Sequence, residues 1–348
     1  MDNNVLVIGN GYDIAHGLKT KYEDFIEFIK VMKKDSSFIN DEAEQIFISK
    51  CITSNGFLKY FLNYANEVPN WVDLEKMLNE VTGYFESFFF EYNDYIDWTG
   101  GISWDLSKYD MSMEKTRIIY CITMFELFDK DHTVGNYISK HLDKKYFTCE
   151  FGLNKREILK LLKNQLEEII ILFRIYLLNH MKNNQFTNKI AQIENINPSY
   201  VISFNYTDTY KIYGIKSDDV FHVHGSLDKK NMVLGYDDDE SDKLDFVYFK
   251  KYFQRIQKMT GYIDEDRIRF NNEGMCEYSV VHFYGHSMDK TDGDIIKLLH
   301  SLASGLVIYY YDQEDYEQKV INLIDIFGKE RATEMIQTKW IKFVQCEN

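Results

Sequence analysis

Apolar residues fall into two habits along the chain. At Val5–Ile8, Tyr200–Phe204, Phe221–Val223, Met232–Leu234, Ser279–Tyr284, Leu306–Tyr311 and Trp340–Val344 they form short runs that are mostly unbroken. Such runs suit strands covered on both faces, so they predict a mostly parallel sheet. Between the runs apolar residues recur every three or four positions. Phe25, Ile26, Phe28, Ile29 and Met32 predict a helix over Tyr22–Lys34, and the same spacing predicts helices over Asp292–Leu302 and Glu314–Phe327. Strands alternating with helices predict an α/β fold with a doubly wound sheet.

The middle of the chain breaks this rhythm. Over about 35–190 strand signals are nearly absent, and long helices are predicted at Asp73–Tyr92 and Lys155–His180, with a shorter one at Thr116–Phe128. Gly100-Gly101-Ile102-Ser103-Trp104 reads as a loop within it. A large helical insertion after the first strand accounts for the pattern. It divides the chain into 1–34, the first part of a Rossmann-like nucleotide-binding domain, a helical insertion over 35–195, and the remainder of that domain over 196–348. Pro198 stands where it would end a helix before the strand at Tyr200. Asp237-Asp238-Asp239-Glu240 reads as a solvated loop.

Composition narrows the function classes. With 348 residues, 45 % of them hydrophobic, the chain can bury a substantial core, as one large domain with an insertion or as two subdomains. Most of its 26 Tyr and 25 Phe are expected in that core and in groove walls. A net charge of −15 repels a phosphate backbone, so nucleic acid is not the expected main ligand. A small anionic nucleotide is still compatible, because backbone N–H groups and a helix N-terminus act locally. Cys51, Cys121, Cys149, Cys276 and Cys346 are scattered and form no Cys-x-x-Cys pair, as expected of reduced thiols without a zinc site. The first apolar run is too short for a signal peptide, and Ile169–Leu178 contains Arg174 and is far short of a membrane span. A cytoplasmic protein with no membrane partner is expected.

Candidate chemistry gathers where the apolar runs end. Val5–Ile8 leads into Gly9-Asn10-Gly11, a turn that leaves room for a phosphate or ribose beside the main chain. Ile14 stands where a Gly-x-Gly-x-x-Gly motif needs its third glycine, so a plain tight turn is the alternative. Asn10, Asp13, His16 and Thr20 crowd this strand end, and Asp13 suits either a ribose hydroxyl or a helix cap. Asn205 follows the run at Tyr200, as a ligand-facing residue or a turn residue. His222 and His224 alternate along one strand before Gly225-Ser226. They read as a metal pair, a catalytic base with a neighbour, or core residues, and a neutral imidazole makes His224 a general-base candidate. Gly285-His286-Ser287 ends another run and suits the far half of a dinucleotide crevice, while the acids Asp289, Asp292 and Asp294 suit helix caps. Trp71-Val72-Asp73-Leu74-Glu75 opens an insertion helix. There Asp73 suits a cap, and Glu75 either complements the helix dipole or lowers a carboxylate over the crevice.

In this order the motifs resemble the AbiH family of bacterial phage abortive-infection proteins. The resemblance covers nearly the whole chain. It is sharpest at 5–25, 201–209, 221–226 and 283–289 and fades over 90–190. More remotely, the chain is similar to the sirtuin-like NAD-binding fold of antiphage effectors. That resemblance implies a sirtuin-like Rossmann variant with NAD as substrate or ligand; no metal is expected, because no Cys or carboxylate stands at ligand spacing to His222 and His224. Gly9 and Gly11 match its Gly-x-Gly turn, Asn205 the Asn after the next motif strand, His224 the His before Gly-Ser, and Gly285 and Ser287 the turn on the adenosine side. The nucleotide is then expected against Gly9, Asn10, Gly11, Tyr12, Thr20, Tyr22, Asn205, Gly225, Gly285, His286 and Ser287. The four-Cys zinc module of protein deacylase sirtuins is missing, which argues against deacylation and leaves cleavage of NAD by water.

The expected chemistry is hydrolysis of the nicotinamide–ribose bond. Asn205 would hold the ribose or the water, His224 would take a proton, and Asp13 or Glu75 would offset positive charge on the sugar. The alternative is a sensor that binds NAD, ADP-ribose or another nucleotide without turnover. A nuclease or RNA-directed toxin is disfavoured by the charge and the lack of a basic stripe. The aromatic insertion could supply an interface for a homo-oligomer, and a phage-derived trigger is a further expected partner.

Overall fold

The computed structural model describes residues 4–64, 71–105, 114–129, 132–134, 137–183, 188–236, 244–260, 262–269 and 279–347. The acid run at 237–240, Cys276 and the side chain of Asp73 lie outside the described residues. The chain forms two compact units. One comprises Met1–Lys21, Leu177–Asp239 and Lys251–Asn348, and the other Tyr22–Tyr176 and Glu240–Lys250.

The first unit is built on a six-stranded parallel sheet. Its strands are β1 (Asn4–Ile8), β2 (Tyr200–Ser203), β3 (Val220–His222), β4 (Val280–Tyr284), β5 (Gly305–Tyr310) and β6 (Ile341–Gln345). Across the sheet they stand in the order β6-β5-β4-β1-β2-β3. The order reverses between β1 and β4, which is the arrangement of a doubly wound, Rossmann-like sheet with a crevice at the reversal. Its helices include α1 (Asn10–Ala15), α2 (Ala191–Ile196), α3 (Lys251–Gln257), α4 (Gly293–Leu302), α5 (Gln313–Phe327) and α6 (Lys329–Gln337).

Alternation along the strands divides the core into two layers. Val5, Val7, Ile202, Val281, Phe283, Leu306 and Ile308 pack with Ile295, Ile296, Leu299 and Leu302 of α4, Leu323 and Ile326 of α5 and Met335 of α6. Leu6, Ile8 and Val201 face the other way, against Tyr12 of α1, Ile193 and Ile196 of α2, and Tyr210. Both faces are covered, which is why these strands read as continuous apolar runs. Asn197 ends α2 in a left-handed conformation (φ 46°), and Pro198 then leads into β2.

The second unit holds helices at Tyr22–Lys34, Glu42–Ser54, Gly56–Tyr64, Trp71–Phe90 and Glu114–Thr123, and most of a long helix, Lys155–Asn183. Aromatic rings fill its interior. Phe125 meets Phe57 and Phe85 edge-on at 5.1 and 4.9 Å. Phe25 meets Phe173 at 5.3 Å. Asn55 and Gln165 pin two helices together, with Asn55 Nδ2 donating to the Gln165 carbonyl at 2.8 Å and Gly56 N–H to Gln165 Oε1 at 2.7 Å.

Three expectations need correction. Gly100–Trp104 is not a loop, because Gly101–Asp105 is a strand paired antiparallel with Tyr137–His141, which also pairs with His132–Val134. These short strands carry no apolar run, so the insertion read as wholly helical. Met232–Leu234 is apolar yet joins no sheet: Val233 N–H donates to the His224 carbonyl at 2.8 Å and Leu234 N–H to Gln254 Oε1 at 3.1 Å. The helix expected to reach Phe128 stops at Thr123 in a turn closed by Met124 N–H on the Cys121 carbonyl. Helix Tyr22–Lys34 belongs with the second unit, and residues from Leu177 return to the first. Among the described residues no helix is long and apolar enough to cross a membrane.

Candidate functional site

Strand register sets the site. Ile8 pairs with Ser203 and with Tyr284, and Ser203 pairs with His222. Asn10, Asn205, His224 and His286 each stand two residues beyond this row. Four segments distant in sequence therefore deliver polar side chains to one level of the sheet, at its C-terminal edge. Asn205, His224 and His286 are all buried, as are Asp13 and Thr20.

The glycines serve close approach between two strand ends. Gly9 N–H donates to the Tyr284 carbonyl at 3.3 Å and Gly11 N–H to the Gly285 carbonyl at 2.8 Å. A Cβ on Gly9 would lie 2.7 Å from His286 Cα, and one on Gly285 (φ +65°) would lie 2.0 Å from Tyr12 N. The missing side chains let these two backbone segments pack directly on each other. Tyr311 closes the same turn, its hydroxyl donating to the Gly11 carbonyl at 2.7 Å.

Around α1 the candidates separate by role. Asn10 Oδ1 accepts from Thr20 Oγ1 at 2.5 Å, tying the turn to the loop that follows α1. Tyr12 is fully buried against His16 and Tyr284, so it is a core residue. His16 clips the Tyr12 carbonyl to the Tyr213 hydroxyl, with both contacts at 2.7 Å. Asp13 points inward and caps no helix. Its Oδ2 accepts from Thr207 Oγ1 at 2.5 Å, Thr209 donates onward to Thr207 at 3.2 Å, and Oδ1 has no hydrogen-bond partner among the described residues. Burial pushes its carboxyl up to about 6, against the pull of Thr207, Thr209 and Asn205.

Asn205 is held from both ends. Ser203 Oγ accepts its N–H at 3.2 Å, His222 Nδ1 meets its carbonyl at 2.9 Å, and its own Nδ2 donates to the Gly9 carbonyl at 2.9 Å. His222 is thus a strut for Asn205, whereas His224 lies with a different set of partners. His224 lies in a turn that demands glycine next to it. Gly225 has φ +77°, and a Cβ there would lie 2.1 Å from the Asn231 carbonyl oxygen. Ser226 N–H donates to Asn231 Oδ1 at 3.0 Å, closing the turn.

His224 belongs to a buried charged nest with His286, Asp292 and Lys251. His224 Nε2 lies 3.1 Å from Asp292 Oδ1, off the axis a hydrogen bond needs. His286 Nδ1 accepts from Met288 N–H at 2.9 Å, so its neutral ring carries the proton on Nε2, 3.7 Å from Asp292 Oδ2. Lys251 Nζ lies 3.2 Å from Asp292 Oδ1. The Phe204 ring stands edge-on to His224 at 5.3 Å and to His286 at 4.3 Å. Burial lowers both imidazoles, His286 to about 4. Ser287 is exposed; its hydroxyl accepts Asp289 N–H at 3.4 Å and its carbonyl accepts from Asn322 Nδ2 at 2.9 Å.

Asn205 and His224 therefore share a level but have separate partners, Gly9 for one and Asp292 for the other. Tyr22 and Glu75 belong to the second unit, where Tyr22 is buried against Phe61 and Glu75 is half-buried on helix Trp71–Phe90. Thr207, Thr209, Lys251 and the inward turn of Asp292 escaped the sequence. The two threonines alternate behind Asn205, which is a signal in retrospect, whereas Lys251 carries none. Among the described residues no three His, Cys, Asp or Glu side chains gather as metal ligands would.

No curated protein and no solved structure matches the chain. The family model described as bacteriophage abortive infection AbiH matches residues 5–310. With the motifs at all four strand ends inside that span, the chain belongs to the AbiH family of bacteriophage abortive-infection proteins.

Proposed function

We propose that this protein is an antiphage effector that binds NAD at the reversal of its sheet and hydrolyses the nicotinamide–ribose bond, acting on the cytoplasmic NAD pool. The observation that supports this is the row of Asn205, His224 and His286 at one level of the C-terminal edge, beside the buried carboxyl of Asp13. Ligands of open α/β sheets bind there.

In this reading a water oxygen bonds to the ribose carbon while the bond to nicotinamide breaks. The electron pair leaves with the nicotinamide nitrogen, which becomes neutral. His224 takes the proton released by the water. Asn205 positions the ribose hydroxyl or the water. The ionised carboxylate of Asp13 offsets positive charge on the sugar, an effect strengthened by burial. The products are ADP-ribose and nicotinamide.

Two contacts favour a second reading, the sensor that holds a nucleotide without turnover. The Asn205 amide is engaged by the Gly9 carbonyl and His224 lies against Asp292, so both side chains already have internal partners. One experiment separates the readings. Purified protein is incubated with NAD, free nicotinamide is measured, and the protein is then denatured to release any bound ligand. Hydrolysis predicts nicotinamide release that Asn205→Ala and His224→Ala each abolish with the circular dichroism spectrum unchanged. Nucleotide released only on denaturation selects the sensor. Neither product nor bound nucleotide overturns both.

A further inference from the structure

Asp292 precedes α4 at the position where a short polar side chain usually caps the free N–H groups of a first turn. Its carboxylate makes no such cap. Asp289 serves the local turn instead, accepting from Thr291 N–H at 3.0 Å. Asp292 faces inward and is only 7 % exposed. A carboxylate that gives up a cap and loses water needs compensation from specific partners.

Those partners are the imidazoles and a lysine. Oδ1 faces Lys251 Nζ and His224 Nε2, and Oδ2 faces His286 Nε2. Lys251 Nζ is steadied by Thr291 Oγ1 at 3.2 Å. The charged and titratable groups facing His224 are Asp292, Lys251, Arg255 and His286, with Arg255 held by Asp294 at 2.7 Å. Burial and the two cations disfavour a charged His224, and Asp292 alone among these groups favours it. Burial also works against the charge of Asp292, but Lys251 and then the two imidazoles hold its carboxyl well below the ordinary value. Lys251 and Asp292 thus form a buried ion pair beside the two imidazoles.

We propose that Asp292 is the positioning residue of the site. It fixes His224 with Nε2–H toward the carboxylate, leaves Nδ1 to exchange the proton with the ligand, and offsets the imidazolium that forms. Lys251 keeps the carboxylate ionised and in place. The assignment rests on the NAD-cleaving reading only for the identity of the ligand and the source of the proton. The proton moves from water to Nδ1 as the water oxygen bonds to the ribose carbon, and later leaves to solvent. The off-axis 3.1 Å contact is the loose geometry that catalytic pairs show before substrate tightens them.

The test follows the histidine rings of the full chain by NMR through a pH titration, with signals assigned from His224→Gln and His286→Asn. Wild-type His224 is expected as the Nε2–H tautomer. In Asp292→Asn that preference is lost, and the His224 midpoint falls by about one pH unit or more. Nicotinamide release falls about a hundredfold, with the acid limb of its pH profile displaced, and Asp292→Glu recovers part of the rate. Asp292→Asn leaves Lys251 buried without its carboxylate and could fail to fold. The double variant Asp292→Asn/Lys251→Met removes both charges and must also lose the tautomer preference. A folded variant with the His224 tautomer and midpoint unchanged overturns the proposal. A changed tautomer in a protein whose wild type releases no nicotinamide keeps the role of Asp292 and overturns the NAD reading instead.

Discussion

Asp13 and His286 titrate in opposite senses, and each makes stability depend on pH. Asp13 ionises near 6 in the fold against 3.8 ordinarily, so the folded state holds its proton longer. Stability is therefore unaffected by this group below about 3.8 and declines as pH rises toward 6. The difference in unfolding free energy between Asp13→Asn and wild type should swing toward the variant by about 2 kcal/mol between pH 4 and 7. Urea titrations at the two pH values measure it, and an equal difference at both would remove the assignment of a raised carboxyl. His286 titrates near 4 against 6.5, so the unfolded chain binds its proton first. Its contribution is fully present above 6.5 and is lost as pH falls toward 4. Relative to His286→Asn, which can keep an acceptor for Met288 N–H, wild type should lose on the order of 3 kcal/mol over that range. Side chains such as Asn205 and His224 were legible because polar residues stood out where apolar runs stopped. Lys251 was not, since nothing marks a buried lysine in an ordinary helical segment until the fold supplies its carboxylate.

At the level of elements, the parallel strands were legible because two-sided burial writes itself as unbroken apolar sequence. β1, β2, β4, β5 and β6 match their runs to within a residue or so at each end. The same rule misled at Met232–Leu234, where apolar residues are buried beside a turn and their N–H groups find a carbonyl and a glutamine. It was silent at Gly101–Asp105, whose pairing lies within a small antiparallel sheet. The turns are the stricter elements. Gly285→Ala would drive a methyl into backbone at Tyr12 N, whereas Gly17 (φ +84°) has open space around its Cβ position. Gly17→Ala should cost about 1 kcal/mol, the conformational penalty alone, and Gly285→Ala well over 2 kcal/mol. Denaturant midpoints decide this, and similar losses at both positions would contradict the close packing of the two strand ends.

For the whole molecule, net charge and a mostly parallel, doubly wound sheet were the legible features, and the packing of helix Tyr22–Lys34 was not. Tyr22–Lys34 follows β1 directly and reads as its partner helix, yet its aromatic face packs within the second unit, where Phe25 meets Phe173. Contacts made across 148 residues of sequence are invisible to local periodicity. In cells, the proposed function predicts that Asn205→Ala and Asp292→Asn remove protection against phage at unchanged protein level. Retained protection with either variant would show that defence does not depend on this edge of the sheet.

The pairing row at Ile8, Ser203, His222 and Tyr284 acts as a ruler with a fixed offset to each side chain above it. Adding one residue between Ser203 and Asn205, or between His222 and His224, would rotate the amide or imidazole away from its neighbours without disturbing a single strand. Elsewhere chain length is unconstrained by the ruler: the excursion from Tyr22 to Tyr176 can lengthen, shorten or change its architecture between relatives. Divergence within the family is therefore expected to concentrate as insertions and deletions between these spacers and almost never within them.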